Sequence, residues 1–299
     1  MVKWLKCAAL GGMMLLTGCA TQNNSQWLYP PMAVPLQASL QQEVQIARIS
    51  QLLTREDLNG DVLSKLYYER GNHYDNVGLR DLARLDFERS LQLNPRQPDV
   101  FNLLGVYFTE KREFDAAYDA FDSTLELDPT NEYAERNRAI ALYYGGRYEL
   151  AHDAMVKHYA DDSEDPFRAI WLYMIEHETQ PEIALQNLKQ RYDERTDRWG
   201  WIMAALLLDE VSEEAAFRAI VEATKNNELL SQRLTEAYFY LGKRYQLNGD
   251  YANAIALYKL SVSFNVYEYV EHRYSLLELG NIFTLLREQK DSPQAEQTL

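Results

Sequence analysis

One spacing constrains this chain more than any other feature: a pattern of small and large residues returns after 34 positions. Gly71, Ala83 and Pro95 form one set, and Gly105, Ala117 and Pro129 form the next. Tyr67, Tyr74 and Phe87 match Phe101, Phe108 and Phe121 at the same offset. A third set keeps step with Ala139, Leu142, Ala151 and Met155, but has no proline at 163. A later set contains Tyr238, Leu241, Gly242, Tyr245, Ala254 and Tyr258. Self-similarity at such a period marks a stacked-repeat architecture, in which each unit buries its apolar face against its neighbours.

Packing explains the residue types. Two antiparallel helices that approach closely need a small residue at the contact. Gly71, Gly105, Ala139 and Gly242 fill that place on the first helix, and Ala83, Ala117, Ala151 and Ala254 fill it on the second. Large aromatics occupy the gaps, and Pro95 and Pro129 stop the second helix. The period resembles the tetratricopeptide (TPR) repeat, which implies an all-α helical-repeat superhelix. Repeats are expected near 64–97, 98–131, 132–165 and 235–268, within a helical domain spanning 36–286. A first helix begins in 36–53, where Leu40, Val44, Ala47 and Leu52 recur at helical spacing. From 165 to 234 the pattern degrades into irregular helix pairs, with Trp171 and Ala184 in a divergent repeat. Further helical stretches run from Trp199 to Leu208 and from Glu213 to Ala223. A closing helix is expected over 270–286, followed by a polar tail, 287–299.

The N-terminus carries a separate message. Lys3 and Lys6 precede a short apolar run, Cys7 to Leu16, and then Leu16, Thr17, Gly18 and Cys19. The run is too short to span a bilayer, so 1–18 reads as a signal peptide. The four residues ending at Cys19 resemble the bacterial lipobox, which implies cleavage before Cys19 and a covalent lipid on it. Residue 20 is Ala rather than the Asp of inner-membrane retention, which implies an outer-membrane, periplasm-facing anchor. Residues 19–35, with Pro30, Pro31 and Pro35, read as a lipidated tether. At ~3.3 Å per residue it would reach roughly 50 Å. Losing Lys3 and Lys6 takes the formal charge from −15 to −17, and leaves no free thiol, since Cys7 and Cys19 are the two cysteines.

Such an acidic chain is a poor partner for nucleic acid, which needs clustered Lys and Arg. No motif points to chemistry. No two of the five histidines (His73, His152, His158, His177, His272) stand at the i, i+4 spacing of a zinc helix. The acidic run 161–165 is followed by Pro166, where a calcium loop needs Gly. Gly145 and Gly146 lack the rest of a phosphate-binding motif, and there is no nucleophile elbow. Trp199 and Trp201 read as core aromatics. The expectation is a non-enzyme with no metal, and with no cofactor beyond the lipid on Cys19.

The functional surface expected of a TPR fold is its concave groove, lined by positions two, five, nine, twelve and thirteen of each first helix. Here these are Lys65, Tyr68, Asn72, Asp75 and Asn76, then Asp99, Asn102, Val106, Thr109 and Glu110, then Tyr133, Arg136, Ile140, Tyr143 and Tyr144. The three tyrosines of the last set suit protein recognition, offering a large contact area with a polar tip.

Many other segments are not generic to the repeat: VPLQ at 34–37, QQEV at 41–44, YERG at 68–71 with GLR at 78–80, and FDAAY at 114–118. Further examples are LDP at 127–129, AIALYYGG at 139–146, DPFR at 165–168, WGW at 199–201 and VEHRY at 270–274. In these the chain resembles the outer-membrane lipoprotein NlpI family over nearly its whole mature length; the tail after Leu286 matches least. The resemblance implies a homodimeric periplasmic adaptor that delivers peptidoglycan hydrolases, such as the endopeptidase MepS, to the tail-specific protease Prc. The alternative is a TPR lipoprotein that assists assembly of outer-membrane β-barrels or pilus secretins.

Overall fold

The computed structural model describes residues 30–291 and is all-α, with fourteen helices and no strand among those residues. The helices are α1 (Leu40–Leu52), α2 (Gly60–Asn76), α3 (Arg80–Leu93), α4 (Pro98–Glu110), α5 (Phe114–Leu127), α6 (Glu132–Tyr144) and α7 (Tyr148–Asp161). Then follow α8 (Pro166–His177), α9 (Pro181–Asp193), α10 (Trp201–Leu207), α11 (Glu213–Ala223), α12 (Asn227–Leu247), α13 (Tyr251–Ser263) and α14 (Val270–Asp291). Cys19 and the expected signal peptide lie outside the described residues, as does most of the expected tether.

Helices α2/α3, α4/α5, α6/α7, α8/α9 and α12/α13 pack as successive hairpins. The expected small–large contact is found, with one refinement. A Cβ added to Gly71 would lie 2.6 Å from the Phe87 ring, one added to Gly105 would lie 2.5 Å from Phe121, and one added to Gly242 would lie 2.8 Å from Tyr258. Each ring stands sixteen residues after its glycine. In the third pair the same positions hold Ala139 and Met155, both fully buried. There the extra methyl faces a flexible thioether instead of a rigid ring.

The turn inside four of the five hairpins repeats too, α8/α9 being the exception. Gly78 (φ 80°), Arg112 (φ 64°), Gly146 (φ 73°) and Gly249 (φ 77°) all adopt the left-handed conformation. Each closes with two backbone bonds, such as Gly146 N–H to the Tyr143 carbonyl and Arg147 N–H to the Leu142 carbonyl. Helix starts are capped by side chains: Asn59 for α2, Asn131 for α6, Asp165 for α8, Ser212 for α11 and Asn226 for α12. Ser39 and Gln42 form a reciprocal capping box on α1.

The irregular region contains a fourth hairpin, α8/α9, with Trp171 and Ala184 fully buried. Short α10 packs on α8, α9 and α12. The last expected repeat begins earlier than 235, because α12 starts at Asn227. The closing helix also runs past 286, to Asp291.

Two findings alter the expected layout. First, part of the expected tether is fastened to the domain. The Tyr238 hydroxyl donates to the Pro31 carbonyl (2.6 Å). The Asn227 amide both accepts from Val34 N–H (2.8 Å) and donates to its carbonyl (2.9 Å). Leu36 N–H donates to the Phe264 carbonyl (2.9 Å), and Asn265 donates to the Leu36 carbonyl (3.0 Å). Pro31 and Ala33 are buried while Met32 and Val34 are exposed, the period-two alternation of extended chain on a surface. Second, α14 turns back along the first helices of the hairpins, with consequences for the groove.

A concave groove filled by the closing helix

From α14, Arg273 pairs with Asp75 on α2 and lies 3.9 Å from Glu110 on α4. Tyr274 packs on Tyr144 of α6, with ring centroids 5.1 Å apart, and on Trp171 of α8 at 6.0 Å. Glu278 accepts from Lys243 of α12 (2.7 Å). Thus α14 meets the first helix of every hairpin, and it occupies much of the inner face.

This placement sorts the expected groove residues. Lys65, Asp99 and Tyr133 are exposed, whereas Tyr68, Asn72, Asn76, Asn102 and Arg136 are half-buried. Asn102 accepts from Asn137 (3.1 Å). Val106 and Ile140 belong to the core, and Thr109 is buried, donating to the Gly105 carbonyl. Asp75 and Glu110 serve α14 through Arg273, and Glu110 also pairs with Arg80.

Tyr143 and Tyr144, expected to face a partner, face the interior instead. Tyr143 is 5% exposed; its hydroxyl donates to Glu178 (3.0 Å) and accepts from Lys243 (2.9 Å). The Tyr144 hydroxyl is buried. The physical reason is α14: a helix laid in the groove removes from water the aromatic surface that an external partner would otherwise cover. Of the third set, Tyr133 is exposed and Arg136 half-buried.

The residues that hold α14 are charged, buried and matched. Lys243 and Glu278 are each 2% exposed. Burial opposes the charge on Lys243, but Glu278 and the Tyr143 hydroxyl outweigh it and hold the ammonium above its ordinary pKa. Burial likewise opposes the Glu278 charge, and Lys243 outweighs it, leaving the carboxyl below its usual range. His272 accepts from Arg80 at Nδ1 (2.9 Å). Burial, then Arg80 and Arg273, push its pKa down to about 3, so it is neutral at neutral pH. Nothing in the local repeat pattern marks these residues; the only hint is the density of charge and aromatics at 270–274. No group of three or more metal-ligating side chains occurs among the described residues.

No family model matches the chain. A tetratricopeptide repeat protein from Parabacteroides merdae is similar in structure, with a TM-score of 0.50 at 14% identity over 80% of this chain and 77% of that one. PilF of Pseudomonas aeruginosa matches at TM-score 0.41 and 18% identity, covering 73% of this chain and 99% of that one. PilW, described as a widely conserved type IV pilus biogenesis factor, matches at 0.41 and 15%, covering 80% and 100%. At these identities the likeness bears on fold alone. The helix hairpins above, together with the match at TM-score 0.50, give the chain the all-α superhelix of a TPR-repeat protein.

Proposed function

We propose that this protein is a lipid-anchored periplasmic adaptor of the NlpI kind, fixed to the outer membrane through Cys19. It brings peptidoglycan hydrolases, such as a MepS-like endopeptidase, to a Prc-like tail-specific protease and so regulates cell-wall turnover. The observation that carries the reading is the filled groove. With α14 in place, the domain presents rigid outer surfaces instead of one deep slot, which suits a scaffold that holds two clients at separate places. The Cys19 motif and the NlpI-like segments supply the compartment and the client class. A homodimer belongs to the same reading, supported by apolar residues left open on α1 (Leu40, 76% exposed; Val44, 53%) and at the end of α14 (Phe283, 54%).

An adaptor acts by effective concentration: clients on one scaffold meet at up to roughly millimolar local concentration. The purified lipoprotein is expected to show no peptidase or muramidase activity, yet to accelerate cleavage of a cell-wall endopeptidase by the protease. At excess scaffold the acceleration falls, because the clients then occupy separate dimers. A degradation time course across scaffold concentrations checks this, and equal rates with and without scaffold would refute it. A plateau at excess would instead indicate allosteric activation of the protease. A cross-linked pull-down that recovers β-barrel or secretin subunits instead of protease and hydrolase would favour the assembly-factor alternative.

A further inference from the structure

Two more carboxylates are buried where the closing helix begins. Glu236 stands on α12 and Glu271 in the first turn of α14, each 6% exposed. Glu278 is answered at 2.7 Å by a buried lysine; these two are answered differently. The Trp199 indole donates to Glu236 Oε2 (2.8 Å), and Arg233 reaches the same oxygen at 3.3 Å. The Tyr240 hydroxyl donates to Glu271 Oε1 (2.7 Å). Indole and phenol are neutral donors, which bond a neutral carboxyl as well as an ionised one. Both Glu236 contacts fall on one oxygen, so Oε1 can carry a proton without giving up either.

The charged and titratable groups that face the pair come from four directions. Arg233, on α12, is stacked on the Trp199 ring at 4.0 Å and keeps a quarter of its side chain in water. Arg136, on α6, favours the charged form of Glu271. Tyr269, in the segment before α14, lies within the field of both carboxylates, with Glu268 beside it. Tyr240, on α12, is fully buried between Glu271 and the Phe167 ring (5.8 Å).

Arg136 supports one charge, on Glu271. A second charge, on Glu236, would stand in nearly dry surroundings beside the first. The cost of taking it out of water exceeds what one 3.3 Å contact to a partly hydrated guanidinium returns. Burial first, then Glu271, push the Glu236 carboxyl up to about 8, and burial raises Glu271 as well. At neutral pH the two carboxyls together therefore hold one proton.

We propose that Glu236 and Glu271 are a proton-operated latch on the closing helix. While the pair keeps one proton, the first turn of α14 stays seated against α12 and the Trp199 segment; when that proton is lost, the two like charges repel and the turn loosens. Tyr274, three residues beyond Glu271, covers Tyr144, so the loosening begins at the edge of the covered inner face. Lys243 and Glu278 hold the helix two turns further on, which confines the motion to its start. The latch needs no client and stands apart from the adaptor reading.

A carboxyl whose pKa is raised by folding stabilises the fold fully below its ordinary value of about 4.5, and loses that contribution as the pH rises to about 8. Urea unfolding of the detergent-solubilised full-length protein from pH 5 to 9 tests this against Glu236→Gln, which keeps an acceptor for Trp199 and mimics the protonated form. The wild type should lose stability relative to the variant as pH rises. The ratio of their unfolding constants should change about tenfold per pH unit and level off near pH 8. In a Glu271→Gln background the same comparison should level off at a lower pH, which a Glu236 that is merely buried would not show. The loosening is read in the wild type by hydrogen exchange, corrected for intrinsic rates. Protection of amides 273–277 should fall about tenfold between pH 7 and 9, and that of 278–282 should not. Glu236→Gln should keep both. A stability ratio that does not vary with pH, a levelling point unmoved by Glu271→Gln, or equal protection of 273–277 at both pH values would each overturn the proposal.

Discussion

The first three hairpins, α2 to α7, and the α12–α14 unit are built from the same kind of helix and held together differently. In the hairpins the decisive contact is short-range in sequence and apolar: Gly71 on Phe87, Gly105 on Phe121, Ala139 against Met155. Within α12–α14 the Gly242–Tyr258 contact follows that rule, but the seating of α14 does not. It depends on Lys243 with Glu278 and Arg273 with Asp75, the latter joining residues 198 apart in sequence. The contrast teaches that the repeats supply a frame by shape, while charge pairing selects where the closing helix lies in it. Apolar contacts tolerate a shifted helix better than a buried ion pair does, because a displaced charge has no partner.

The strongest way to break that contrast is at Lys243. Lys243→Met leaves Glu278 buried and unpaired and is expected to cost about 3–5 kcal/mol. Adding Glu278→Leu should recover most of the loss, since an apolar pair replaces the ionic one. Urea unfolding of the two variants measures both values, and a single variant as stable as the parent would remove the ion pair from the account.

A smaller effect is expected on the apolar side. Gly105→Ala places a methyl against the Phe121 ring and should cost roughly 1–3 kcal/mol. Phe121→Met in the same chain should return part of it, because the third hairpin pairs Ala139 with Met155. Thermal melts that show no recovery would mean that ring and thioether do not differ at this place.

The smallest effect sharpens the repeat rule itself. Arg112 occupies a left-handed turn position that Gly78, Gly146 and Gly249 fill elsewhere. Arg112→Gly relieves a conformational cost of about 1–2 kcal/mol and incurs about 0.5–1 in chain entropy, for a net gain of about 0.5 kcal/mol. A denaturation midpoint that falls would show that the Arg112 side chain contributes more than its backbone costs.

These differences also explain what could be read from the sequence. The hairpins were legible because glycine, alanine and a large partner sit within one repeat, so spacing alone identifies them. The course of α14 was not. Glu271, Arg273 and Glu278 look like ordinary surface charges in a chain with 45 acids and 30 bases, and only their distant partners make them interior. Tyr143 and Tyr144 stand on the inner helix face that the repeat spacing predicts, yet that face is covered by a segment more than a hundred residues later. Tyr133 keeps its expected access because it stands at the start of α6, whereas Arg136 is half-buried, and its charge favours the ionised form of Glu271 on α14. The proline-rich stretch misled in the same way, since Asn227, Tyr238 and Phe264 cannot be matched to residues 31–36 by any local rule.

That stretch governs how a pull on the proposed membrane anchor would be carried. With residues 31–36 clamped, the span from Cys19 to the first clamp is at most about 40 Å at ~3.3 Å per residue, instead of roughly 50 Å. Tension along it enters the fold at Tyr238 and then at Asn227, both on α12, before it reaches Phe264 and Asn265. Helix α1, though next in sequence, lies beyond the last clamp and carries no load until the clamps give way. Drag on the N-terminal chain is therefore borne first by the helix that also grips Glu278.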